Sequence, residues 1–306
     1  MSRNSVLLPP SKLKGVIIIF TANIFFAINM PVSRAITPDW IHPFTLSFLR
    51  IFFAFSAFFI LSQILKIKAK FSFKEHSLLL GAGILGTTAN QLSFLTGLSK
   101  TSPVDASLII TTTPIITMVF AAFIIKEPLS FKKALGVFIG MGGAAVIIYS
   151  SFSGLYSQSG TLEGNLFVLI SSFVFALYLV LIRPMMEKYS PVEIMKWTFF
   201  YGSIVAFPFC FKYLVIPVDT TVTQIWQLGY TLIFGTFVSY LLVAFSLKLL
   251  RPTTVSMFNY VQPVIASAIA IAIGQDTLNW LKPVAAALIF LGVYLVITSR
   301  SKDDNN

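Results

Sequence analysis

Ten long apolar segments dominate this sequence, and they restrict its possible folds more than any other feature. They fall at 15–36, 42–65, 77–98, 104–125, 133–150, 164–185, 191–213, 225–249, 253–274 and 280–299. A helix of about 20 apolar residues crosses roughly 30 Å of hydrocarbon, whereas a β-barrel needs alternating segments of about ten residues, which these are not. The sequence therefore predicts an all-α membrane protein with ten transmembrane helices.

The scarcity of charge and of reactive side chains excludes most other classes. Charged residues make up 11% of the chain, against about 25% in soluble domains, which excludes a soluble enzyme as the default. The only cysteine, Cys210, excludes a disulfide framework or thiolate metal site, and His42 and His76 are too far apart for a local HExxH pair. We expect no catalytic residue, metal or cofactor. We expect no nucleic-acid partner either, because the basic residues lie between apolar runs.

The distribution of lysine and arginine predicts the orientation in the membrane. Sixteen of them lie on the loops that alternate with both termini, and the opposite loops hold only Lys100, Lys212 and Lys282, with Arg34 near a span end. Basic residues remain on the cytoplasmic side, so both termini are predicted in the cytoplasm, in a bacterial inner (plasma) membrane. The first run is too long for the apolar core of a signal peptide, and we expect it to be retained.

The chain matches itself at an offset of 149 residues. The segment 86–150 aligns without a gap on 235–299, and 15 of the 65 positions are identical. Shared apolar composition would explain matched Leu, Ile and Ala, but not matched pairs such as Pro114/Pro263 or Thr87/Thr236. Because five spans per half is an odd number, the halves must insert with opposite topology, which is the inverted-repeat plan of secondary transporters.

The repeat also predicts the domain organisation. It gives a cytoplasmic N-terminus at 1–14, a first five-helix repeat at 15–150, an external linker at 151–163, a second five-helix repeat at 164–299 and a cytoplasmic tail at 300–306. Within the first repeat, the "GMGGAA" run from Gly140 has the glycine spacing of a dinucleotide fingerprint. It lies inside an apolar span without a preceding strand, so we interpret it, with Gly136, as small-residue helix packing.

These features are accompanied by a family likeness. The second span opens with "PFTLSFLR", and spans four and five read "SLIITTTPIITMVFAAFIIKEPLSFKKALGVFIGMGGAAVI", with a degenerate copy across spans nine and ten. In this the chain resembles the drug/metabolite transporter superfamily, in particular its ten-helix members with two EamA-like domains. The resemblance implies a central cavity lined by spans one, three, four, six, eight and nine. One departure is that Glu127 of the first half is matched by Asp276 in the second.

Polar residues at mid-membrane depth provide the candidate binding site. They are costly in lipid and should face a cavity or the bundle interior, and several coincide under the offset, for example Asn29 with Tyr178. Recurrence at symmetric positions favours one shared cavity, although each residue alone could equally be an interhelical hydrogen-bonding group. The candidate substrate-binding residues are Asn29, Asn90, Gln91, Thr112, Tyr178, Ser239, Tyr240, Asn259 and Gln262.

Two prolines and two basic residues inside spans are further candidates. Pro114 and Pro263 lie near the middle of spans four and nine, where each would kink its helix, either for static packing or as part of the cavity wall. Arg50 and Lys196 could attract an anionic substrate. Both could instead extend to the interface, and Lys196 could pair with Glu193 one turn earlier.

The eleven acidic residues all lie in loops or at span ends. Proton-driven antiport usually needs a protonatable carboxylate or histidine at membrane depth. The sequence therefore predicts a facilitator or exchanger rather than a proton antiporter.

Together these patterns predict a secondary transporter that moves small organic metabolites by alternating access through a cavity between the two repeats. The resemblance favours export of amino acids or related compounds. The alternatives are a multidrug exporter of the same fold, or an integral membrane enzyme acting on lipid-linked substrates. The expected partners are a small-molecule substrate and the lipid bilayer, and we expect a monomer.

Overall fold

The protein is an assembly of helices. The computed structural model describes residues 10–101, 106, 109–152, 161–215, 217, 219–272 and 280–299, and this part of the chain contains no β-strand. The predicted linker at 151–163 and the predicted N-terminal segment at 1–14 lie largely outside the described residues. The tail at 300–306 and Asp276 lie wholly outside them.

Ten helical segments follow one another in the described chain. They are α1 Pro10–Ile36, α2 Pro43–Ile64, α3 Phe73–Lys100, α4 Thr113–Ile124, α5 Phe131–Phe152, α6 Leu162–Lys188, α7 Pro191–Cys210, α8 Val222–Leu249, α9 Pro252–Met257 continued by Val261–Ala272, and α10 Leu281–Ile297. Six of them (α1, α2, α3, α6, α7 and α8) are long and apolar enough to cross a membrane, and α4 and α10 are shorter apolar helices. The structure is that of an integral membrane protein, and ten spans stays a prediction.

The helix starts show the repeat at the level of single hydrogen bonds. Before α3, the Ser72 and Glu75 side chains form a reciprocal capping box, and before α8 the Thr221 and Gln224 side chains form the same motif. Each box satisfies two backbone N–H groups at a helix N-terminus. The two boxes are separated by the offset of 149 residues found in the sequence, so equivalent helices begin at equivalent positions.

Equivalent helices of the two halves run antiparallel where they meet. In the α5–α10 contact, a Cβ on Gly136 would lie 2.7 Å from the Gly292 carbonyl oxygen, and a Cβ on Gly143 would lie 2.7 Å from that of Ala285. The residue numbers rise along α5 as they fall along α10. The 149 offset exchanges one contact with the other, as a twofold relation between the halves requires, and the arrangement fits the two-repeat architecture.

The halves are interlocked rather than side by side. Helices α2 and α7 also cross antiparallel, with Phe48 against Phe207 at 5.8 Å and Phe55 against Phe200 at 5.3 Å between ring centroids. Helix α1 packs on α8 and α9, and the equivalent helix α6 packs on α3 and α4. Most helix contacts therefore join one half to the other, and a central space remains where they meet.

Adjacent glycines in α5 provide a test of this packing. A Cβ on Gly143 would meet the Ala285 carbonyl oxygen at 2.7 Å and the Ile289 backbone nitrogen at 3.0 Å, whereas a Cβ on Gly142 would meet nothing within 4 Å. Backbone atoms cannot move aside, so Gly143→Ala must push α5 and α10 apart and should cost about 1–3 kcal/mol, as overpacking does. We expect Gly142→Ala to be neutral or slightly stabilising. The measurement is thermal unfolding of both variants in detergent. Equal unfolding midpoints would contradict the close α5–α10 contact at Gly143.

A buried ion pair joins the start of α5 to the preceding loop. The Lys133 ammonium donates to Glu127 Oε1, and both side chains are 3% exposed. The remaining oxygen, Glu127 Oε2, has no hydrogen-bond partner among the described residues. The Lys133 ammonium also donates to the Pro128 carbonyl oxygen at 3.3 Å. The glutamate that carries the family likeness therefore has a structural partner within its own half.

Candidate functional site

Helices α3 and α8 each contain a π-helical segment near the centre of the protein. The segments are Gly83–Ala89 and Ile233–Val238, and they coincide under the 149 offset. A π segment widens the helix, leaves backbone groups outside the regular ladder and is frequent at functional sites. The Asn29 side chain lies directly over Gly235, where a Cβ would collide with it, so the widened turn lets α1 approach α8 closely.

Helices α4 and α9 are interrupted at the same depth. A turn at Thr111–Thr112 precedes α4, and a 3-10 turn at Phe258–Tyr260 divides α9. Pro114 is the second residue of α4, and Pro263 is the third residue of the second part of α9. From the sequence, each proline was predicted to kink a continuous transmembrane helix. In the structure each follows a break, where its missing N–H group removes no helical hydrogen bond.

These irregular segments surround a cavity of about 650 Å³, which includes the space at its open mouth. Its walls come from α1, α2, α3, α6, α8 and α9, and from the break before α4. The lining residues are Phe26, Asn29, Met30, Arg50, Asn90, Gln91, Phe94, Ile110, Thr113, Ser171, Ser172, Phe175, Tyr240, Asn259 and Gln262. The lining combines apolar and aromatic side chains with a few polar groups, which is the composition typical of small-molecule pockets.

The structure brings most of the predicted site residues together. Six of the nine candidate substrate-binding residues line the cavity, together with Arg50: these are Asn29, Asn90, Gln91, Tyr240, Asn259 and Gln262. The other three lie elsewhere. Tyr178 is buried with its hydroxyl 3.8 Å from the Met195 sulfur, Ser239 donates to the Phe234 carbonyl oxygen, and Thr112 donates to the Ile109 carbonyl oxygen.

Lys196 lies outside the cavity lining and has a charged partner. Its ammonium is 2.5 Å from Glu193 Oε1, one turn away on α7, and 3.4 Å from the Ser62 hydroxyl. The Glu193 side chain is 3% exposed and the Lys196 side chain 13% exposed. Of the three alternatives raised by the sequence, the helical ion pair describes Lys196 in this structure.

A hydrogen-bonded cluster fixes the amide of Asn90 at the centre of the cavity wall. Its Nδ2 donates to the Tyr240 hydroxyl at 2.9 Å, and its Oδ1 accepts from the Ser171 hydroxyl at 3.0 Å. The Tyr240 hydroxyl donates in turn to the Gly86 carbonyl oxygen in the π segment of α3, at 3.2 Å. Three helices from both halves are thereby joined at one point.

Arg50 is attached to the other π segment. Its Nε donates to the Thr236 hydroxyl at 2.8 Å, and its Nη2 donates to the Gly235 carbonyl oxygen at 3.2 Å. Arg50 is 3% exposed. Its third nitrogen group, Nη1, has no hydrogen-bond partner among the described residues. The guanidinium is thus held by two contacts while it lines the cavity.

Other polar atoms of the wall are also unpartnered. Both amide atoms of Gln91 and the hydroxyl of Ser172 are buried without a hydrogen-bond partner in the described chain. Buried polar groups are normally hydrogen-bonded, and leaving one unpaired costs about 1–3 kcal/mol. All of these atoms belong to residues that line the cavity, where a ligand or water is the remaining source of a partner.

Several lining residues were missed by the sequence reasoning. Ser171, Ser172 and Phe175 occupy one face of α6, at the helical spacing that could have indicated a common surface. Their serines did not stand out, because small hydroxyl residues are also usual in helix packing. Phe26 and Phe94 could not be distinguished by sequence among 31 phenylalanines, most of which do not line the cavity.

No three side chains of His, Cys, Asp or Glu come together within the described residues in a way that could hold a metal ion. The cavity wall itself consists of amides, hydroxyls, a guanidinium, aromatic rings and the aliphatic side chains of Met30 and Ile110. Such a wall can bind and release a solute by hydrogen bonds and apolar contact.

Comparison with known proteins agrees with this architecture. The profile of the EamA-like transporter family matches residues 13–149 and again residues 162–298. The chain belongs to the EamA-like transporter family. Two matches in tandem show that the two halves are copies of one family unit, as the internal repeat predicted.

Relatives of this EamA-like transporter are themselves named as transporters. An uncharacterized transporter from Archaeoglobus fulgidus is 24% identical over 71% of this chain and 76% of its own length. The uncharacterized transporter YyaM from Bacillus subtilis is 26% identical over 69% of this chain and 70% of its own length. A crystal structure of a protein that is 16% identical superposes with a TM-score of 0.74 and covers 93% of this chain and 97% of its own, which shows the same fold.

Proposed function

We propose that this EamA-like transporter is a secondary transporter that moves small organic metabolites, among them amino acids or related compounds, out of the cell by alternating access. The chain would cross the bacterial inner membrane ten times as a monomer, with both termini in the cytoplasm and without a cofactor. The observation that carries the proposal is the cavity, lined by both polar and apolar side chains, between two halves whose equivalent helices run antiparallel.

The position of the cavity supports alternating access. Its wall is built from the C-terminal halves of α1 and α3 and the N-terminal half of α6. The equivalent residues at the opposite end of the bundle, such as Leu179 and Val243, are buried. A protein with two equivalent halves can open the opposite end by exchanging the conformations of those halves. With both termini in the cytoplasm, the described cavity faces outward.

The chemistry of the wall favours a metabolite over a purely apolar drug. Most of the surface exposed in the cavity is apolar, and Arg50, Gln91 and Asn259 add a guanidinium and two amides, which a purely apolar drug would leave without partners. The apolar part of the wall leaves room for a hydrocarbon or aromatic portion of the same substrate.

Counterflow in proteoliposomes tests this proposal. Liposomes preloaded with single amino acids or related metabolites should accumulate labelled substrate to the same level with and without a pH gradient. The physical reason is that the described lining residues include no Asp, Glu or His. Accumulation that follows the gradient would contradict an uncoupled carrier and would direct attention to Glu127 and Glu193.

Two tryptophan substitutions on α6 provide the control. Ser172 lines the cavity, while the next residue, Phe173, is 49% exposed on the outer surface. Ser172→Trp should reduce counterflow at least about tenfold, because an indole would occupy much of the binding space. Phe173→Trp should leave counterflow near that of the unmodified protein. Equal effects would contradict transport through this cavity.

A further inference from the structure

We infer that the cavity recognises amphipathic carboxylates, with the carboxylate on Arg50 and Gln91 and the apolar body against the aromatic wall. The inference names a substrate class for the proposed transport function and rests on it. It is carried by unpartnered polar atoms of residues in the cavity wall and by the apolar surface of the same wall.

Arg50 supplies an uncompensated positive charge. None of the ion pairs among the described residues involves Arg50, and the described lining contains no acidic side chain. Removing a charge from water is costly unless an opposite charge and hydrogen bonds replace the water. An anionic group on the substrate is therefore the counter-charge that this site lacks.

The geometry of the guanidinium suits a carboxylate. Nε and Nη2 are already occupied by the π segment of α8, so the orientation of the planar group is fixed in the absence of substrate. The buried Nη1 remains without a partner among the described residues. Preorganised charge-assisted hydrogen bonds of this kind are roughly twice as strong as neutral ones.

Gln91 provides a second, neutral hydrogen-bonding group. The residue is 2% exposed, and its amide nitrogen and oxygen are both unpartnered within the described chain. The nitrogen can donate to a carboxylate oxygen, and the oxygen can accept from an ammonium group of the same substrate. An α-amino acid would thus be accommodated, but its amino group would not be required.

The remaining wall suits an apolar or aromatic body. The Phe26 and Phe175 rings each pack near the Tyr240 ring, at 6.1 Å and 6.4 Å between centroids, and Phe94 and Ile110 also line the cavity. Aromatic surfaces bind apolar ligands through their faces and edges. A substrate with a carboxylate at one end and a ring at the other would satisfy both parts of the wall.

Matched probes test this inference by equilibrium binding to the purified protein in detergent. 3-Phenylpropionate and 3-phenylpropanamide have nearly the same shape and differ in charge, and L-phenylalanine adds an ammonium group. We expect the carboxylates to bind at least about tenfold more tightly than the amide, because hydrogen bonds between two charged groups are stronger than those to a neutral amide. Equal binding of phenylpropionate and its amide, or no binding of either carboxylate, would overturn the inference.

Variants assign the preference to Arg50. Arg50→Gln should weaken phenylpropionate binding about 10- to 100-fold and change amide binding less than about threefold. Arg50→Lys should restore part of the preference, since it keeps the charge and loses the planar fork. The control is the double variant Glu193→Gln/Lys196→Gln, which removes the other intraspan basic residue together with its partner and should leave the preference intact. If Arg50→Gln weakens both probes equally, Arg50 has only a structural role and the inference fails. If Arg50→Gln does not fold, the comparison of phenylpropionate with its amide in the unmodified protein still tests whether the cavity prefers carboxylates.

Binding and flux separate this inference from the proposed function. Arg50-dependent carboxylate binding without counterflow of any carboxylate would leave the inference standing and contradict transport. Counterflow of neutral metabolites without a preference for carboxylates would support transport and contradict the inference.

Discussion

Replacing Glu127 with glutamine should destabilise the protein by about 3–5 kcal/mol, the usual cost of leaving one partner of a buried ion pair without the other. The Lys133 side chain would remain 3% exposed, with the Pro128 carbonyl oxygen at 3.3 Å as its remaining hydrogen-bond acceptor among the described residues. In detergent, the thermal unfolding midpoint should fall on the order of 10 °C.

An exposed ion pair of the same composition is the control. Lys100 and Glu163 are 41% and 60% exposed, and exposed pairs contribute about 0–1 kcal/mol, so Glu163→Gln should change the midpoint little. Adding Lys133→Met to Glu127→Gln should recover most of the loss, because it removes the buried charge that has no partner. Equal unfolding midpoints for Glu127→Gln and Glu163→Gln would show that the buried ion pair contributes no more to stability than the exposed one.

Cysteine labelling should distinguish the two ends of the bundle by at least about tenfold in rate, because one conformation opens one end only. Phe94 lines the cavity, and the equivalent residue of the second half, Val243, is 3% exposed. The only native cysteine, Cys210, is buried, so Cys210→Ala provides a cysteine-free background. In intact cells, a membrane-impermeant maleimide should modify Phe94→Cys and leave Val243→Cys unmodified.

Inside-out vesicles provide the reciprocal measurement. If the halves exchange conformations, Val243→Cys should become reactive from the cytoplasmic face and Phe94→Cys should not. Reaction of Val243→Cys from the outside would contradict the proposed orientation. Failure of Val243→Cys to react from either side would contradict an exchange that exposes this position.

Much of the fold could be predicted from the sequence because a duplication leaves matching residues at a constant offset along the chain. The 149 offset predicted two equivalent halves, and the structure adds matched capping boxes at Ser72 and Thr221 and matched π segments in α3 and α8. The π segments could not be predicted, because they depend on tertiary contacts such as the packing of Asn29 on Gly235. Interruption of α4 and α9 was indicated by Pro114 and Pro263, although its form was not.

The cavity was predicted less well than the fold, and symmetry explains the reason. Asn29 and Tyr178 are equivalent in sequence, so the repeat predicted both at the cavity. In one conformation, equivalent positions have different surroundings: Asn29 borders the open end, while the Tyr178 ring is buried over Gly86. The environment of Arg50 was equally hidden, since Thr236 and Gly235 are 186 and 185 residues away in the chain.

The interlocked packing of the two halves has a consequence for biosynthesis. Helices α1, α2, α3 and α5 pack on α8, α7, α6 and α10 of the other half, so the first five helices are made before the surfaces that cover them exist. At about 5–20 residues per second, partners about 150 residues apart are separated by roughly 8–30 s of chain growth. During that interval Arg50 and Asn90 are in the bilayer without Thr236 and Tyr240. We therefore expect the nascent first half to depend on the translocation machinery, or on water near it, until the second half supplies these partners.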